Sequence, residues 1–164
     1  MSKPGDRGAE PVGRVASLHL HPAKSGGPLT AAEVFHVIAG KGIEEDSRYF
    51  NRGSRRQVTL IGREQIAPHA SALGVGGFAP GEVRSNIETT GIDLIALVGH
   101  RVEIGGAVLD FYAPRTPCHK MDALRQGLRE LMEDGRQGVL AQVIRSGAIR
   151  AGDTIRLAKP DATN

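Results

Sequence analysis

The sequence predicts a mainly β domain with a few helices, folded as a small barrel or meander, and three observations predict it. The 22 Gly and 9 Pro make up 31 of 164 residues, which favours many short elements joined by tight turns over a helical bundle. Short apolar runs at strand spacing recur, most densely over residues 83–112, where Gly91, Gly99, Gly105 and Gly106 punctuate them. Only two segments carry helical spacing.

Taken in order, residues 1–11 and 159–164 read as tails of Gly, Pro and charge without periodicity, and 12–158 as one domain. A mostly alternating strand runs from Val12 to Leu20 and ends at His21-Pro22, because the residue before a proline is pushed out of the helical region. Residues 33–39 form a short apolar strand closed by Gly40, and 57–61 another. A helix over 63–73 places Ile66, Ala70 and Leu73 on one face, with Pro68 expected to kink or shorten it. Strands are expected over 83–89, 94–98, 101–104 and 107–112. A second helix, 121–132, carries Met121, Leu124, Leu128, Leu131 and Met132 at helical spacing and stops at Asp134-Gly135. Two closing strands, 139–145 and 153–157, are separated by turns at Ser146-Gly147 and Ala151-Gly152-Asp153.

Composition excludes several classes. A domain of this length buries roughly 70% of its unfolded surface, so it needs no metal or disulfide for its core. The single Cys118 cannot form an internal disulfide, an iron-sulfur cluster or a structural zinc site. Net charge is only +3, but 16 of the 21 basic residues are Arg. Guanidinium forks point to anion recognition. With six aromatic residues and no recognition-helix pattern, a small anion fits better than nucleic acid. Residues 1–13 contain no secretory apolar region and the longest apolar runs are too short to span a bilayer, so no membrane partner and a cytoplasmic location are expected.

Three motifs carry possible chemistry. Arg115-Thr116-Pro117-Cys118-His119-Lys120 surrounds the only thiol with basic groups just ahead of a helix, a setting that favours the thiolate. An inert core cysteine would have apolar neighbours instead. In Arg84-Ser85-Asn86-Ile87, strand periodicity would bring Arg84 and Asn86 to one face, although a solvated polar stripe has the same spacing. His21-Pro22-Ala23-Lys24-Ser25-Gly26-Gly27 ends a strand in a Gly-rich loop whose amides, with Lys24 and Ser25, suit an anion, without the spacing of a P-loop. His19 and His21 could face one metal from a strand, but no third ligand accompanies them, so a satisfied or exposed pair is the expected reading. The charged run from Glu44 to Arg56 reads as a solvated loop whose signs offset one another.

Together these pieces, in this order, resemble the MOSC family, the domain named after the C-terminal part of molybdenum-cofactor sulfurases and present in amidoxime-reducing molybdoenzymes. The resemblance runs from about Val12 to Leu157 through Pro-Ala-Lys-Ser, Glu-Glu-Asp-Ser-Arg-Tyr, Arg-Ser-Asn-Ile-Glu-Thr-Thr-Gly-Ile-Asp, Arg-Thr-Pro-Cys and the closing Ala-Gly-Asp153. It implies a MOSC-type β-barrel with a pocket for the pterin-based molybdenum cofactor. Cys118 would ligate the thiophilic metal and act in catalysis. Lys24, Ser25, Arg84, Asn86, Thr116 and Asp153 would contact the cofactor. Arg48 matches a further phosphate contact only in part, because Glu45 replaces the usual Gly and Ser47 intervenes between Asp46 and Arg48.

The resemblance implies an oxidoreductase that reduces N-hydroxylated or similar small substrates, with electrons from separate donor proteins, since no flavin, nicotinamide or iron-sulfur motif is present. Two alternatives stay open: a sulfur carrier holding a persulfide on Cys118, loaded by a sulfur-donor protein, and a non-enzymatic cofactor carrier. No pyridoxal phosphate is expected within the chain.

Overall fold

A computed structural model describes residues 12–22, 28–116, 121, 126–133 and 136–159. The expected tails, apart from Lys159, lie outside the described residues, as do Lys24, Ser25 and Cys118. The strands are β1 (Gly13–Leu20), β2 (Thr30–Ala32), β3 (Val34–Ile38), β4 (Gly42–Ile43), β5 (Val58–Gly62), β6 (Ile87–Thr90), β7 (Arg101–Ile104), β8 (Ala107–Pro114), β9 (Val139–Arg145), β10 (Gly147–Arg150) and β11 (Thr154–Leu157). Among the described residues, helices α1 (Arg63–Ala72) and α2 (Leu128–Leu131) accompany them.

Seven strands close into the expected barrel, running β1-β11-β7-β8-β9-β5-β6 and back to β1. One side of β1 is shared along its length. Gly13 and Arg14 pair with β11, while Leu18, His19 and Leu20 pair with β2. The other side pairs antiparallel with β6 through a register shift between Val15 and Ser17. β5 and β6 run parallel, which demands a long crossover, and α1 lies within it. A three-stranded sheet, β10-β3-β4, adds Phe35, Val37, Ile43 and Ile149 to the core.

Period-two alternation explains the burial. In β5 all five residues are buried, because Val58 and Leu60 enter the barrel core while Thr59 and Ile61 face the other way. Ile61 joins a second cluster with Ile66, Val83, Met121, Leu128 and Met132. Each large side chain in these clusters, such as the fully buried Phe111, stabilises the fold by roughly 1.5–3 kcal/mol relative to exposure.

Four local expectations need correction. The helix over 121–132 is not continuous, because Gly127 adopts φ +89 immediately before α2, a left-handed conformation that a helix interior excludes. The strand over 83–89 begins only at Ile87, because Arg84 at φ +66 breaks the extended backbone. Residues Ile95–Leu97 form a short 3-10 turn instead of a strand. The Ser146-Gly147 turn leads straight into β10, which pairs with β3, so three strands close the chain where two were expected. Helix α1, by contrast, runs through Pro68 to Ala72. No helix among the described residues is long and apolar enough to cross a membrane.

Candidate functional site

β1 ends at Leu20, and His21 continues from it into a buried polar network centred on Asp46. Asp46 is fully buried, and its two oxygens accept five hydrogen bonds. Oδ1 takes the backbone N–H groups of Arg48 at 2.8 Å and Tyr49 at 3.3 Å, which folds residues 46–49 into a tight turn. Oδ2 takes Nδ1–H of His21 at 2.9 Å, Nδ2 of Asn86 at 2.8 Å and, at 3.4 Å, the His21 backbone amide. Burial pushes the Asp46 carboxyl up, but the His21 ring, the Arg48 amide and the Asn86 carboxamide outweigh it and hold it below the usual aspartate range.

Asn86 ties this turn to the barrel. Its Nδ2 also donates to the His19 carbonyl at 3.1 Å, and its Oδ1 accepts the Thr59 backbone N–H at 3.1 Å. The segment before it is anchored by Glu88, whose Oε2 accepts the Gly81 N–H at 2.7 Å and whose Oε1 meets Arg63 Nε at 3.1 Å. Within that anchored turn Arg84 holds its left-handed backbone, and its carbonyl accepts Nη1–H of Arg115 at 3.0 Å. Arg115 follows β8, and its backbone N–H is held by the Gly138 carbonyl at 2.9 Å.

These elements enclose a cavity of about 300 Å³, at the small end of ligand pockets. Four arginines line it, Arg48, Arg56, Arg84 and Arg115, with His21, Tyr49 and Met121 completing the described wall. Arg56 sits 5.4 Å from the Tyr49 ring centre and Arg48 5.8 Å, while the neighbouring Arg55 stacks at 4.1 Å on Tyr112 of β8. Burial pushes the Tyr112 hydroxyl up, with Arg56 and Arg55 opposing it. No carboxylate lines the cavity among the described residues. The arrangement can neutralise and orient a small, multiply charged oxyanion.

The structure therefore brings Arg84 to the cavity and sets Asn86 one layer behind it, fully buried, with its carboxamide spent on Asp46, His19 and Thr59. Thr116 is exposed beside Arg115. Asp153 stands in the turn before β11, where its carboxylate accepts the Arg150 N–H at 2.7 Å, and it is not part of the described lining. The charged run read as solvated supplies the buried Asp46 and three lining residues, Arg48, Tyr49 and Arg56. The signal available was the density of Arg around a single Tyr; nothing in the spacing marks Asp46 as interior. His19 and His21 do not face a common metal. His19 Nδ1 bonds the Ser85 carbonyl at 2.9 Å and His21 bonds Asp46. A second His and carboxylate group, His36, Glu44 and Glu45, is exposed on β3 and the turn after β4, with His36 and Glu45 already paired.

The barrel is similar to those of several solved structures. The YUAD protein from Bacillus subtilis superimposes with a TM-score of 0.74 at 22% identity, over 89% of this chain and 95% of that one. YiiM from Geobacillus stearothermophilus gives 0.73 at 18%, over 92% and 77%, and YiiM from Escherichia coli 0.67 at 22%, over 92% and 69%. No curated protein sequence matches the chain. The model of the MOSC domain matches residues 46–156, a span that opens on Asp46 and takes in Arg48, Arg56, Arg84 and Arg115, and the chain belongs to the MOSC domain family.

Proposed function

We propose that the chain binds the molybdenum cofactor in the arginine-lined cavity and works as an oxidoreductase on N-hydroxylated or similar small substrates, drawing electrons from separate donor proteins. The observation that carries this reading is the convergence of four arginines on one cavity from three segments, the loop before β5 (Arg48 and Arg56), the turn before β6 (Arg84) and the end of β8 (Arg115). That donor set fits a phosphate-bearing ligand, because guanidiniums keep their charge at any physiological pH and match phosphate oxygens in pairs.

Chain connectivity supports the thiol as a partner to that grip. Three residues of chain span at most about 11 Å. Cys118 is three residues from Arg115 and three from Met121, both in the cavity wall, and Lys24 is three residues from His21. When bound, the cofactor would supply a metal that changes oxidation state and takes up oxygen from the substrate. In this reading Arg84 and Arg115, with Lys24 and Ser25, would hold the phosphate end, Cys118 would offer its thiolate to the metal with Thr116 nearby in the chain, and Asn86 keeps the Asp46 turn in register from behind.

The test is the molybdenum and pterin content of protein made in a cofactor-competent host, compared with Cys118→Ala. Both components in the native chain and loss of the metal in the variant are expected. Stoichiometric molybdenum retained by Cys118→Ala would remove the cysteine from the ligand set. A metal-free chain that accepts a persulfide on Cys118 from a small donor would replace the reductase with the sulfur carrier.

A further inference from the structure

We propose that His21, oriented by Asp46, is the proton-carrying member of the cavity, so that binding of a doubly charged oxyanion takes up a proton at Nε2 of the ring. The inference rests on the cavity being the anion site and goes beyond it by making that site proton-coupled. The carboxylate of Asp46 can only accept, so Nδ1 carries a hydrogen toward it and Nε2 becomes the ring atom free to gain or lose a proton. Among the described residues nothing bonds Nε2, nor is it one of the sealed polar atoms, while the ring itself lines the cavity. The carboxylate–imidazole pair therefore points its one exchangeable lone pair at the place where the anion sits.

The other groups around the ring cannot do this work. Guanidinium keeps its charge near neutrality, and imidazole is the side-chain type that exchanges a proton there. Facing His21 are Asp46 at Nδ1, the Asn86 carboxamide 3.5 Å from the same nitrogen, the Tyr49 ring edge-on at 4.9 Å, and the four arginines of the cavity wall. A dianion entering beside Nε2 favours the protonated ring and meets an N–H donor there. The balance is one proton from solvent, gained on binding by the neutral ring and returned on release.

Titration calorimetry with sulfate tests this on the chain as it is, because sulfate keeps its charge throughout pH 5–8. Repeated at one pH near 7.5 in buffers of different ionisation heat, the native chain should show proton uptake approaching one per sulfate. Its affinity should fall with rising pH, toward about tenfold per unit. His21→Asn, whose amide can replace Nδ1–H toward Asp46, should bind sulfate more weakly, with no uptake and a flat pH profile. His21→Gln serves as a second variant, and thermal unfolding checks that each is folded. Saturable sulfate binding without proton uptake in the native chain, or uptake that persists in both variants, overturns the role of His21 and leaves the anion site standing. Absence of any sulfate binding overturns the anion site and this proposal together.

Discussion

Phe111 and Asp46 are both fully buried, yet they hold the molecule in opposite ways. Phe111 sits among apolar side chains from every side of the barrel, where many small contacts add up and a residue of similar volume could substitute. Asp46 is held by five directional bonds whose donors come from residues 21, 48, 49 and 86. Removing one partner strands the others in a place water does not reach. The barrel wall is thus tolerant in detail and strict in volume, whereas the cavity end is strict in chemistry.

The sharpest way to break the wall is a methyl group where the chain passes itself. A Cβ on Gly138 would lie 1.9 Å from the Leu60 carbonyl oxygen, at a φ of +88 that side chains avoid. Gly138→Ala should cost more than about 4 kcal/mol, or prevent folding, as read by urea unfolding. A loss under 1 kcal/mol, roughly the ordinary cost of a surface change, would show that β5 and β9 can part without harm.

Asp46→Asn probes the polar end. The new amide faces donors on His21 and Asn86 and should cost about 1–3 kcal/mol. The sign with pH follows from a folded carboxyl held below its unfolded value near 3.8. Its contribution is complete above that unfolded value and disappears as pH falls through the lower folded one. The native chain should lose stability across that acid window, and Asp46→Asn should lose correspondingly less. Identical acid limbs in the two proteins would mean that the carboxylate is not what stabilises the turn.

Arg84 separates backbone from ligand duty with the smallest effect on stability. In its left-handed conformation a side chain costs about 1 kcal/mol that glycine avoids. Arg84→Gly should therefore unfold at no lower a temperature than Arg84→Ala, while both lose sulfate affinity severalfold. Unchanged affinity in both would assign the guanidinium to structure alone.

Legibility follows the same divide. β1, β5, β7 and β9 were readable within a residue or two because alternation repeats along them and burial acts on every second side chain. β10 was not, because Gly147 and Ala148 carry little apolar signal and the strand exists through its pairing with β3. Arg84 was expected on a strand face beside Asn86, and a turn presents it to the cavity wall instead. Arg115 was read as part of the setting of a thiol, and proved to be a wall of the cavity.

By itself the sequence determined a mainly β domain, the run of the longer strands, the helix before β6, the order of the MOSC motifs and an excess of guanidinium over ammonium groups. These properties are local or additive, and periodicity or composition records them. Only the tertiary structure decided which arginines meet, that Asp46 leaves a charged loop for the interior, and that His21 pairs with it at the cavity wall. Those outcomes depend on hydrogen bonds between residues far apart in the chain, and a contact made across a closed barrel leaves no period in the sequence for either partner to show.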